Sequence, residues 1–270
     1  MRQPFFIILA ICFVAFSCKK ADELTYNTSD NIYFDFDPAT KDRDSIVYTF
    51  AYEPTKARDT VFLPVRISGN RVPQARTFKV QVVTDGTTAI AGTHYEALKE
   101  EYTMPADSGT LALPIILYNS APELTRQSVT LKLTLVSTAD FSLNFPGLVT
   151  SKILFSSKLE KPEWWEMWLG SYYSQVKHEL FLISSGTIHM TTSGLDAPKN
   201  LYHVGRLNSF LNDPFKWVAD NTDLGYVLEK SSNGQYYLFN SSNAAKKIEL
   251  RKNEQAGKYY FIDENGQEVI

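Results

Sequence analysis

Apolar and polar residues alternate with a period of two from Ile32 to Phe155, and few folds accept such a chain. Ile32, Phe34 and Phe36 share one side of a strand, and Ile46, Tyr48, Phe50 and Tyr52 make a second run. Val61, Leu63, Val65 and Ile67 follow, and then Phe78, Val80 and Val82. Leu111, Leu113, Ile115 and Leu117 come next, then Val129, Leu131, Leu133 and Leu135, and Ile153 with Phe155 closes the series. A shorter strand is expected over Glu101 to Pro105. Period two places successive side chains on opposite faces, so each run has one face that must leave water. No helical pattern lies nearby to cover those faces. Two antiparallel sheets packed face to face satisfy them, which predicts a β-sandwich over residues 31–157. Ser68-Gly69-Asn70, Asp85-Gly86, Ala91-Gly92 and Asp107-Ser108-Gly109 supply the turns. Pro64 and Pro114 lack a ladder donor, which places both strands at an edge or at a bulge.

The pattern changes after Ser156-Ser157-Lys158-Leu159-Glu160-Lys161-Pro162-Glu163, which reads as a linker. Trp165, Trp168, Tyr172, Val176, Leu180 and Ile183 recur every three or four residues, as on a helix. Gly170 interrupts this helix, and Val176 to Ile183 also suits a strand. Leu201 to Asn212 suggests a further helix, while Gln235 to Phe239, Lys247 to Arg251 and Lys258 to Asp263 suggest short strands. Residues 158–270 are therefore expected to form a smaller α+β domain, and the whole protein to be mainly β.

Residues 1–17 read as a secretion signal. Arg2 precedes an apolar run from Phe5 to Phe16, too short for a membrane span, and Ser17 stands before Cys18. The stretch resembles a bacterial lipobox, which makes Cys18 the lipidated first residue of the mature protein and residues 18–30 its tether. Cys12 falls in the leader, so the mature chain holds no second thiol for a disulfide or a Cys metal site. Lys19-Lys20-Ala21-Asp22-Glu23 resembles the charged tag that follows the lipidated Cys in surface lipoproteins. A formal charge of −3 with no basic block argues against nucleic acid.

Two sets of residues carry a wider resemblance. One is Gly92-Thr93-His94-Tyr95 with Tyr102-Thr103-Met104-Pro105 and Leu113-Pro114-Ile115. The other is the Trp-rich stretch from Trp168 through Tyr172 and Tyr173 to His178. Together they resemble the domain of unknown function 4843 family of Bacteroidetes-type lipoproteins, and the first set also resembles Calx-β sandwiches. The resemblance implies a lipid-anchored outer-membrane protein, exposed at the cell surface and accompanying a nutrient-uptake system. It carries no calcium site over, because Tyr118-Asn119-Ser120 stands where the acidic cluster is wanted and His94 replaces the loop Asp.

No nucleophile elbow, zinc-protease motif, phosphate loop or dinucleotide fingerprint is present. His94, His178, His189 and His203 have no metal-ligand spacing. Asp35, Asp37, Asp42 and Asp44 form the one acidic group suited to calcium, but Lys41 and Arg43 lie among them. Neither a catalytic residue, a metal site nor a cofactor is therefore assigned. Trp164, Trp165 and Trp168 are the candidate glycan platform, since indole faces stack on sugar rings. The alternative places these aromatics in a core or domain interface. The sequence thus points to a non-enzymatic binding or accessory lipoprotein, with polysaccharide or import proteins as partners. The competing expectation is a scaffold that docks on proteins and binds no glycan.

Overall fold

A computed structural model of the chain describes residues 30–37, 39 and 44–270. The leader, Cys18 and most of the tether lie outside the described residues, as does Asp42. Among the described residues before Ser157, eight strands make two sheets. The first holds β1 (Asn31–Phe34), β3 (Arg58–Ser68) and β6 (Thr110–Tyr118) in the order β1-β3-β6. The second holds β2 (Ser45–Thr49), β4 (Arg76–Val82), β5 (Tyr102–Met104), β7 (Val129–Val136) and β8 (Thr150–Ser156), in the order β2-β8-β7-β4-β5. The apolar faces predicted by alternation meet in one cluster that includes Ile32, Phe34, Leu63, Phe78, Leu113, Leu131 and Phe155.

Two details differ from a purely antiparallel sandwich with edge prolines. β2 pairs parallel to β8, with Ile46 opposite Ile153, which a long intervening chain permits. Pro114 lies on the edge strand β6, but Pro64 lies on the central strand β3. Its carbonyl accepts from Asp35 just beyond the end of β1, so its missing N–H falls where the short β1 ladder has already stopped.

The chain then enters a second unit with its own core of Trp164, Trp165, Phe181, Phe210, Leu250 and Phe261 among others. Four helices, α1 (Trp165–Leu169), α2 (Gln175–Ser185), α3 (Ala197–Asn212) and α4 (Pro214–Asp220), pack with a four-stranded antiparallel sheet. Its strands are β9 (Tyr226–Lys230), β10 (Tyr236–Asn240), β11 (Asn243–Asn253) and β12 (Lys258–Phe261). Gly170, at φ +77°, ends α1 in a conformation L side chains rarely adopt, which breaks the predicted helix there. Helix α2 is buried from Lys177 to Ser185, all round rather than along a stripe. Its first turn is capped twice. Ser174 Oγ accepts from Lys177 N at 3.0 Å, and Glu264 Oε1 accepts from Gln175 N at 2.7 Å. Among the described residues no helix is long and apolar enough to cross a membrane.

The chain enters the sandwich at the pole away from the second unit. Asp30 pairs with Arg76 and accepts from Asn70 N at 3.0 Å, beside the Ser68 end of β3. The Arg58 end of β3 faces the second unit, where Asn243 Nδ2 donates to Pro54 O at 3.4 Å. An 11-residue strand separates the two ends, roughly 33 Å at a rise of about 3.3 Å per residue.

Candidate functional site: the cleft between the two units

Residues Asn119 to Thr125 turn out of β6 through a 3-10 turn at Pro122–Thr125. They form one wall of a cleft of about 260 Å³. The opposite wall comes from the second unit: Val176 and Glu179 of α2, and Ala245 to Ile248 of β11. The lining mixes apolar Ala121, Pro122, Val176, Ala245 and Ile248 with polar side chains such as Ser120, Thr125 and Ser157, and contains no histidine or aromatic residue. Its charged centre is an ion pair, with Lys246 Nζ 3.1 Å from Glu179 Oε2 and side chains only 16% and 12% exposed. Lys247, also at the cleft, sends its ammonium to Glu229 at 2.7 Å.

The seam beside the cleft is held lightly by polar contacts. Asn243 Nδ2 reaches Asn119 O at 3.5 Å, and Arg126 Nη2 donates to Glu264 O at 3.3 Å. The side-chain oxygens of Asn119 and Asn243 are buried without hydrogen-bond partners. Orphaned acceptors cost on the order of 1–3 kcal/mol each, so this seam is a costly place in the fold. A second, more open recess of about 440 Å³ shares Pro122 and Thr125 with the cleft and adds Glu123 and Arg126. Glu123 is already engaged, because His94 Nδ1 accepts from Ile90 N at 2.9 Å and its Nε2–H therefore points to Glu123 at 3.0 Å. His94 thus ties the Gly92–Tyr95 loop to the cleft turn.

The tryptophans predicted as a glycan platform sit elsewhere and are largely packed away. Trp164 and Trp165 are 3% and 0% exposed, against His178, Tyr173 and Phe181. Large aromatics at these positions fill the core of the second unit, which overturns their assignment as sugar-stacking faces. Trp168 is half-buried, and its Nε1 donates to Thr191 O at 2.7 Å. Trp217 is also buried, against Phe210. Lys177 is enclosed with them. Burial pushes its ammonium below the usual lysine range, and it donates to Leu169 O at the end of α1.

The acidic group around residue 40 is dispersed among partners. Asp35 pairs with Arg66 at 3.0 Å, Asp44 with Lys152 at 3.3 Å, and Asp37 accepts from Ala39 N at 2.8 Å. Among the described residues no group of three or more His, Cys, Asp or Glu could hold a metal ion. The cleft itself had no signal in the sequence, because its walls lie far apart along the chain.

The fold and cleft define a class: a β-sandwich joined to a smaller α+β unit, with a small recess at the junction. The sequence profile described as "Domain of unknown function (DUF4843)" matches residues 26–187, more than half of the chain and running through α2. The chain belongs to this family. Among solved structures, it is similar to the apo-form Calx CBD1 domain at 12% identity, over 48% of this chain and 97% of that one, with a TM-score of 0.35. A protein of unknown function from Bacteroides ovatus shares 18% identity over 46% of this chain and 43% of that one, at 0.36. A candidate carbohydrate binding protein from Bacteroides ovatus ATCC 8483 shares 11% over 48% and 38%, at 0.36. The chain thus spans less than half of either Bacteroides protein. The search of curated proteins finds no match.

Proposed function

We propose that this protein is a lipid-anchored, non-enzymatic binding protein of the outer-membrane surface, serving a nutrient-uptake system. One observation carries the reading: a cleft walled by both units holds a largely buried ion pair, Glu179–Lys246, at the pole opposite the start of β1. An acylated Cys18 would join the sandwich at the pole near Asp30, the end opposite the cleft. The lipobox-like leader and the family resemblance support the location. The cleft suits binding better than catalysis, since its one carboxylate is engaged by Lys246 and no histidine lines it. The name of the Bacteroides ovatus ATCC 8483 protein keeps a carbohydrate among the ligands to be tried, now at the cleft rather than on the tryptophans.

Replacing Cys18 by Ser should abolish incorporation of labelled palmitate, and unchanged incorporation would contradict the anchor. A thermal-shift panel of amino acids, short peptides and mono- and disaccharides, run on residues 20–270, tests the cleft. A ligand that raises Tm for the native protein, but not for Ala245→Leu, supports it. No shift across the panel favours a second reading, docking on a partner protein. That reading draws on exposed Met167, Ile188, Leu195, Leu201 and Tyr202, on α1, the α2–α3 connection and α3.

A further inference from the structure

We infer that the cleft selects a small zwitterion, a free α-amino acid with a short aliphatic side chain. The inference rests on the reading of the cleft as the binding seat and names its ligand class. The decisive feature is charge balance. Glu179 and Lys246 are each less than a fifth exposed and 3.1 Å apart, so each is compensated mainly by the other. A ligand of single charge would draw one of them away and leave the other short of a partner in a poorly hydrated site. A zwitterion laid antiparallel along the pair sets its ammonium toward Glu179 and its carboxylate toward Lys246. Every charge then keeps an opposite neighbour and no net charge is buried.

The rest of the cleft fits the remainder of such a molecule. Ala121, Pro122, Val176 and Ile248 offer an apolar wall to an aliphatic side chain. A volume of about 260 Å³ lies below the range of roughly 300–1,000 Å³ typical of drug-sized ligand sites, which favours a compact occupant. A pyranose is less well served. No aromatic face lines the cleft to stack on its C–H surface.

The test is isothermal titration of residues 20–270, which keep every described residue, with L-alanine, L-valine and L-leucine. Isovalerate, isobutylamine and D-glucose serve as controls. At least one of the amino acids should bind saturably. Isovalerate and isobutylamine, which each keep one charge, should bind at least about tenfold more weakly, as should the best amino acid to Glu179→Gln or Lys246→Met. Ala245→Leu, at an exposed position on the cleft rim, should weaken binding without removing a charge. Unfolding curves confirm that each variant folds. Equal binding of the singly charged analogues would overturn the zwitterion. Binding of glucose alone, lost in Ala245→Leu, would overturn it while leaving the cleft as the seat. No binding by any probe to the folded protein would overturn both.

Discussion

The imidazole of His178 is fully buried between Trp164, Trp165, Tyr173 and Phe181, with Nε2 unpartnered. Tyr173 gives its own hydroxyl proton to Leu159 O at 2.8 Å, so it accepts from His178 Nδ1–H. Burial pushes the His178 pKa from 6.5 down to about 4. The native protein therefore holds this ring neutral, while the unfolded chain takes up a proton below pH 6.5. Stability from this site is complete above about pH 6.5 and declines as pH falls toward 4, by up to roughly 3 kcal/mol. Urea unfolding at pH 7 and pH 4.5 should show that decline, and His178→Phe should flatten it. Asp59 acts in a separate window. Hydrogen bonds from Lys56 and then Tyr48 lower its pKa from 3.8 to about 2, so its contribution is lost only below about pH 4. At the far pole, Gly69 adopts φ +145°, and a Cβ there would stand 1.9 Å from Asp30 Oδ1. Gly69→Ala should cost on the order of 2–3 kcal/mol in denaturant unfolding. A loss below about half a kcal/mol would contradict that geometry.

Among the elements, α1 and α2 show how far the sequence speaks. The strands of the sandwich were legible because each keeps one wet face: β7 alternates buried and half-buried residues along its whole length. Helix α2 is buried on every side, so it has no polar stripe, and Val176–Ile183 suits helix and strand alike in the sequence. Strand β9 carries no alternation signal, because only Tyr226 of its five residues is buried. Composition alone does not distinguish an outward-facing tryptophan from a core one. Packing makes that distinction here, and it should be measurable. Trp165→Ala should cost about 3–5 kcal/mol of stability, as large aromatic truncations in cores do. Trp168→Ala, at a half-buried site, should cost less. Equal losses in chemical denaturation would argue against this division. Removing the Glu264 carboxylate with Glu264→Ala takes the second cap from α2, at a cost of about 1 kcal/mol. Amide exchange in the first turn of α2 should quicken accordingly.

At the scale of the whole molecule, Asp30 and the cleft stand at opposite ends of the sandwich because β3 and β6 span it between them. The proposed anchor rests on Ser17-Cys18, adjacent in the sequence, whereas the cleft arises only when the turn after β6 meets α2 and β11. Lipidated protein reconstituted into vesicles tests this arrangement. A single fluorophore is placed through a cysteine introduced at Asn70 or at Ala245, and a headgroup-linked quencher reports its closeness to the bilayer. Strong quenching is expected at position 70 and weak quenching at position 245. Equal quenching at the two positions, or the reverse order, would contradict a binding cleft held away from the membrane.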